Sequence, residues 1–92
     1  MSAQAPTERQ NHSAVWTGSV MIVWGGQQSG GSALATGGRY DPITDTWLAT
    51  STTNAAGGRN NHTAVWTGTE MLVWGGKSSV LALNSGGRYN PA

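Results

Sequence analysis

The side chains best suited to binding chemistry occur as one short polar motif, present twice about fifty residues apart. Each copy has a guanidinium, an amide and an imidazole group, in the residues Arg9, Asn11, His12, Arg59, Asn61 and His62. Gathered around a common channel, these groups could hold an anion or a small polar ligand. The alternative is that they bond to neighbouring loop carbonyls, because most side-chain hydrogen bonds go to backbone. We favour the structural role and keep the six residues as a candidate ligand site.

Metal binding and catalysis have less support in the sequence. The two histidines lack a short ligand spacing and there is no cysteine, so we predict no metal site and no cofactor. No G-x-S-x-G motif is present, and no Ser, His and Asp set stands out from a polar background. Asp41 and Asp45 flank a turn, where aspartate commonly bonds its own backbone. We therefore expect a protein that is not an enzyme.

Composition narrows the class of partner further. Charged residues make up 10% of the 92 residues and the net charge is +1, so no basic field for nucleic acid is expected. The longest apolar run, MIVW at 21–24, is far too short to span a membrane, and the first ten residues have no signal-peptide pattern. Five tryptophans nevertheless indicate that the chain folds and buries apolar surface.

An internal repeat organises the whole chain. RQNHSAVWTGSVMIVWGG from Arg9 aligns without gaps on RNNHTAVWTGTEMLVWGG from Arg59, and GGRYDP is repeated as GGRYNP. A period of about fifty residues is typical of propeller blades. The predicted organisation is one propeller fragment, 1–92, with a first blade at 9–50, an inter-blade linker at 51–58 and an incomplete second blade at 59–92.

Each unit contains the pattern of an antiparallel meander of strands. SAVW and MIVW in the first unit, and TAVW and MLVW in the second, are short β-branched and aromatic runs separated by Thr-Gly-Ser or Thr-Gly-Thr. A third strand is predicted around Arg39 and Tyr40, with its copy around Arg88 and Tyr89, and a fourth at 46–50. MIVW is apolar at every position, which indicates a strand covered on both faces.

The second unit stops where its fourth strand should begin. We expect this unit to lack its outer strand, unless residues 1–8 fold back as an edge strand, where Pro6 would be tolerated. An interrupted repeat of this kind also suggests the hypothesis that the chain is a fragment or an engineered unit.

With these landmarks in place, the chain resembles two blades of a bacterial kelch-type β-propeller. The kelch signature is a double glycine ending the second strand, followed by a Tyr and a Trp separated by six residues. The first unit has all three, in Gly25-Gly26, Tyr40 and Trp47, while the second has Gly75-Gly76 and Tyr89 but no Trp. Related copper radical oxidases need a cysteine that this chain lacks, so their activity is not implied.

The resemblance implies blades whose two faces are covered by neighbouring blades. We predict that the tryptophans fill the inter-blade space, namely Trp16, Trp24, Trp47, Trp66 and Trp74. Two blades cannot close a ring, so the predicted partners are copies of the same chain, arranged head to tail as a trimer of six blades or a tetramer of eight. The expected function is a non-catalytic, self-assembling scaffold or binding module. A carbohydrate-binding propeller is the alternative, and a fragment of a kelch-domain enzyme is less favoured.

Overall fold

The computed structural model describes residues 5–29, 31–51, 56–78 and 81–91, and these residues form two antiparallel β-sheets. The strands are β1 (Ser13–Trp16), β2 (Met21–Trp24), β3 (Gly37–Asp41), β4 (Thr46–Ala49), β5 (Thr63–Trp66), β6 (Met71–Trp74) and β7 (Gly86–Tyr89). The first sheet has the order β1-β2-β3-β4 and the second has the order β5-β6-β7. The predicted all-β class, with a four-stranded and a three-stranded antiparallel sheet, is confirmed.

The hairpin between β1 and β2 is set by a threonine and a glycine. Thr17 Oγ1 accepts hydrogen bonds from the backbone N of Ser19 at 3.2 Å and of Val20 at 3.1 Å. Gly18 has a φ of +105°, which a residue with a side chain rarely adopts. The turn between β5 and β6 repeats this arrangement around Thr67. The Thr-Gly pair in each unit therefore fixes the register of the two strands that follow the polar motif.

The core lies between the two sheets, which stack with β1 next to β5. Ile22 and Trp24 of β2 point towards the second sheet, while Met71 and Val73 of β6 point back towards the first, and all four are buried. Side chains two residues apart in a strand share a face, so each strand contributes a pair. The chain thus buries one face of each sheet against the other.

The opposite faces of the sheets are covered unequally. On β6, Leu72 and Trp74 point away from the first sheet and are 39% and 57% exposed. On the outer face of the first sheet, Trp47 is buried and its ring centroid lies 5.1 Å from that of Tyr40, whereas Trp16 is 55% exposed. Apolar surface is therefore open to solvent on both outer faces of the pair of sheets.

The start of the chain runs along the outer face of the first sheet. A Cβ placed on Gly38 would lie 3.1 Å from Pro6 Cδ, so Pro6 packs on this face beside Gly38. Residues 5–8 form no strand, and residues 1–4 of the alternative edge strand lie outside the described residues. No helix long and apolar enough to cross a membrane occurs in the described ranges.

Candidate functional site

The two polar motifs each pair with the segment that follows a double glycine. Gln10 and Gln27 exchange backbone hydrogen bonds of 2.8 and 2.9 Å, and Asn60 and Lys77 exchange two of 2.9 Å. These isolated bridges extend the β1–β2 hairpin and the β5–β6 hairpin by one residue pair each. The motifs therefore lie at the same end of both sheets, where the double glycines end β2 and β6.

Arg59 uses its guanidinium group on the backbone of its own unit. Its Nη1 donates to the carbonyls of Gly75 at 3.2 Å and Ser85 at 2.6 Å, its Nε donates to Gly57 O at 3.0 Å, and its Nη2 donates to Ser85 Oγ at 3.3 Å. The residue is buried, and burial lowers the pKa of the guanidinium. Arg59 thereby joins the end of β6 to the loop before β7.

Arg9 makes the equivalent set of bonds in the first unit. Its Nη1 donates to Gly25 O at 3.1 Å and Thr36 O at 2.6 Å, while Nε and Nη2 bond to Thr7 and to the Thr36 hydroxyl. Burial also lowers the pKa of this guanidinium, although Arg9 is more exposed than Arg59. Two arginines fifty residues apart thus tie a strand end to a loop in the same way.

His62 lies at the seam between the two sheets. Its Nε2 is 2.8 Å from Ser13 Oγ, and its ring meets the indole of Trp24 edge to face, with centroids 5.3 Å apart. Burial lowers the pKa of this imidazole, and the nearby positive charges of Arg59 and His12 lower it further. The ring is therefore harder to protonate than a free imidazole, and it acts as a packing and hydrogen-bonding group.

The two asparagines of the motifs meet through their backbones. Asn61 N donates to Asn11 O at 3.0 Å, and both residues have a left-handed backbone, with φ of 58° at Asn11 and 57° at Asn61. Asparagine tolerates this conformation better than most residues. The structure thus brings the two motifs side by side, with His62 enclosed at the seam and His12 exposed to solvent.

The candidate ligand site contains groups that already bond within the chain and groups that face solvent. The two guanidinium groups, those of Arg9 and Arg59, are engaged by backbone carbonyls, so a ligand would have to compete with bonds inside the chain. Asn11 and His12 are the exposed polar side chains of the first motif. Binding of a small polar or anionic ligand at this end remains a prediction.

Two residues at this seam were missed by the sequence reasoning. Ser13 is the hydrogen-bonding partner of His62, and the signal was the hydroxyl residue that follows each histidine, in His-Ser and His-Thr. Asn60 is fully buried, where the first copy of the motif has the exposed Gln10. That difference within an otherwise matching motif was visible in the alignment of the two units.

The tryptophans occupy two kinds of position. Trp24 is buried in the core, and Trp66 packs against this core. Trp47 is buried on the outer face of the first sheet. Trp16 and Trp74 are more than half exposed, so inter-blade packing of these two stays a prediction.

No group of three or more His, Asp or Glu side chains lies close enough to hold a metal ion in the part of the chain that the structure describes. No protein-family model matches this chain, and no curated protein is significantly similar to it in sequence.

Proposed function

We propose that the chain is a non-catalytic, self-assembling scaffold of the kelch-type β-propeller class, whose copies pack head to tail and close a ring of six or eight blades. One observation carries the proposal. Each outer face of the sheet pair is apolar, and the equivalent face in the other repeat unit is buried inside the chain. The occupant of both faces is accordingly a second copy of this chain.

The outer face of the second sheet matches a face that is buried in the first sheet. Leu72 and Trp74 hold the positions in β6 that Ile22 and Trp24 hold in β2. In the first unit these positions are buried against a neighbouring sheet, and in the second they face solvent. Apolar side chains at the same register, with Val65 exposed beside them, form a surface suited to the same kind of neighbour.

The outer face of the first sheet likewise matches a face that is buried in the second sheet. Trp16 and Met21 are paired across β1 and β2, as Trp66 and Met71 are paired across β5 and β6. Trp66 and Met71 lie on the face that packs on the first sheet. The outer face of the first sheet therefore has the composition needed to receive the outer face of another copy's second sheet.

The segment before β1 is compatible with this contact. Pro6 packs on Gly38, and Ala56, its equivalent in the second unit, packs on Gly87, where a Cβ would lie 3.0 Å from Ala56 Cβ. Ala56 occupies this place inside the interface between the two sheets and contacts the core. Pro6 can thus remain where it is when a second copy docks.

The proposed contact is heterologous, because two different faces meet. Contacts of this type form rings when the rotation between units closes and filaments when it does not. Burial of each large apolar side chain contributes about 1.5–3 kcal/mol, so covering Leu72, Trp74, Val65 and Trp16 supplies a substantial driving force for association. Propeller blades are stabilised in this way by their neighbours.

Native mass spectrometry with light scattering tests the proposal. We expect the unmodified chain to give a trimer or a tetramer, and Leu72→Glu to give a folded monomer because it places a charge in the contact. Ile43→Glu is the matched control, since Ile43 is exposed in the turn between β3 and β4, away from both faces. The proposal would be rejected if the unmodified chain stayed monomeric at all concentrations and its circular dichroism spectrum showed that this monomer is folded.

Carbohydrate binding is the second candidate function, and one groove favours it. An open groove of about 450 Å³ at the hairpin end of the sheets is lined by Trp66, Arg39 and Thr69 among others. An indole face beside hydroxyl and guanidinium donors is a common way to hold a sugar ring. Titration with monosaccharides, followed by tryptophan fluorescence, tests this candidate, and Thr69→Val should weaken any binding detected.

A further inference from the structure

We infer that His12 of one copy binds in a cleft on the next copy that is formed by Thr63, Trp74 and Gly75 at the ends of β5 and β6. This inference rests on the assembly proposed above and names the residue that fixes its register. The cleft is the repeat equivalent of the place that His62 occupies within the chain.

The contact of His62 provides the template. Its Nε2 lies 2.8 Å from Ser13 Oγ, and its ring packs edge to face on Trp24. A Cβ placed on Gly25 would lie 2.5 Å from His62 Cε1, so the absence of a side chain at Gly25 makes room for the imidazole. A hydroxyl, an indole and a glycine therefore define the histidine cleft.

The same three groups stand at the outer face of the second sheet. Thr63 Oγ1 donates to Trp74 O at 3.3 Å, as Ser13 Oγ donates to Trp24 O at 3.3 Å. The Thr63 oxygen can therefore accept a further bond, as the Ser13 oxygen does from His62 Nε2. The φ of Gly75 is +71° and that of Gly25 is +74°, so the two strand ends have the same shape.

Two of the three groups, the side chains of Thr63 and Trp74, are exposed on this face, while the Gly75 backbone is buried. Among the described residues, the nearest atom to a Cβ placed on Gly75 is Leu83 O, at 3.8 Å. Trp74, its indole wall, is exposed, whereas the equivalent Trp24 is buried under His62. Among the described residues, the Thr63 hydroxyl and the Trp74 indole are thus accessible to a second chain.

The backbone at His12 is placed in the same way as the backbone at His62. A Cβ placed on Gly26 would lie 2.9 Å from His12 Cβ, and one placed on Gly76 would lie 2.8 Å from His62 Cα, so both histidines are seated over the second glycine of a pair. His12 is exposed on the outer face of the first sheet, the face that receives the neighbouring copy. A hydrogen bond to Thr63 is directional, so it specifies the alignment of the copies more strictly than apolar burial does.

A double-mutant cycle tests the inference. The association constant is measured by analytical ultracentrifugation at about pH 8, where imidazole is neutral, for the unmodified chain, His12→Ala, Thr63→Val and the double variant. We expect each single substitution to weaken association about tenfold, and the double variant to be little weaker than either single one, because both remove the same contact.

Ser13→Ala is the matched control, since it removes the equivalent hydroxyl from the contact inside the chain. It should lower the free energy of unfolding of the monomer. Thr63→Val should lower it less, because Thr63 loses only its bond to Trp74 O, whereas Ser13 loses a bond to Trp24 O and a bond to His62. Equal association of His12→Ala and the unmodified chain, or additive losses in the double variant, would overturn the role of His12 while the assembly itself stands. A monomeric unmodified chain would instead remove the assembly on which the inference rests.

Discussion

The two sheets have closely matching sequences and strand registers, yet equivalent side chains have opposite environments. Ile22 and Trp24 are buried, while Leu72 and Trp74, at the same positions of the second unit, face solvent. Strand β2 is covered on both faces and β6 on one. Burial in a repeat protein is thus decided by the presence of a neighbour, because each unit can cover only one face of the next.

The largest effect should come from truncating the two equivalent tryptophans. Trp24→Ala should destabilise the monomer by about 3–5 kcal/mol, because it opens a cavity in the core and removes the ring under His62. Trp74→Ala should cost the monomer less than about 1 kcal/mol, since its indole is exposed. Urea denaturation, at a concentration where light scattering gives the monomer mass, measures both values.

Equal losses in the two variants would contradict this comparison. They would mean that Trp74 is covered within a single chain in solution. The oligomer mass is a second measurement that distinguishes the two variants. Trp74→Ala removes surface from the proposed contact between copies and should therefore weaken association.

The two equivalent arginines make the same hydrogen bonds but differ in their exposure to solvent. Arg59 is almost fully buried, at 3% exposure, and Arg9 makes the same bonds closer to solvent. Arg59→Met should therefore cost about 3 kcal/mol and Arg9→Met about 1 kcal/mol. The bond from Arg59 to Gly75 O is buried, whereas its counterpart from Arg9 to Gly25 O is partly buried, so water replaces the lost donor less readily in the first case. Thermal denaturation of the two variants at one pH checks this difference, and a larger loss for Arg9→Met would refute it.

The sequence carried most of the information about strands and little about the seam. SAVW, MIVW, TAVW and MLVW form strands where predicted, because β-propensity and the Thr-Gly turns act between residues close in the chain. The third strand around Tyr40 and the fourth around Trp47 also form. Local chemistry was sufficient for these elements.

The seam depends on residues that are distant in sequence. The bond between His62 and Ser13 joins positions 49 residues apart, and Arg9 reaches Thr36 across 27 residues. Such partners follow only from how the sheets stack and where each loop returns. The repeat alone did not distinguish Trp24 from Trp74, because it describes one unit without its neighbours.

A smaller difference is expected between two equivalent glycines. Gly25 and Gly75 have nearly the same positive φ, so alanine introduces the same backbone strain at both and that strain cancels in the comparison. At Gly25 the new methyl group would lie 2.5 Å from His62 Cε1, whereas at Gly75 the nearest atom among the described residues is Leu83 O at 3.8 Å. Gly25→Ala should destabilise the monomer by about 1–3 kcal/mol more than Gly75→Ala. Chemical denaturation of the two variants measures this, and indistinguishable stabilities would place His62 elsewhere.

The smallest expected effect is the pH dependence of stability that His62 produces. Its pKa is lowered in the folded chain, by burial and by the charges of Arg59 and His12, from an ordinary value of 6.5. The unfolded chain therefore binds a proton more readily, so the stabilisation is complete above pH 6.5 and decreases as the pH falls below it. Thermal denaturation of the monomer between about pH 7.5 and 5.5 follows this loss. His62→Gln, which keeps a hydrogen-bonding side chain without a titrating ring, should flatten the profile, whereas His12→Gln should retain most of it. A profile that stays steep in His62→Gln would assign the pH dependence to another group and remove the evidence that the seam excludes a charged imidazole.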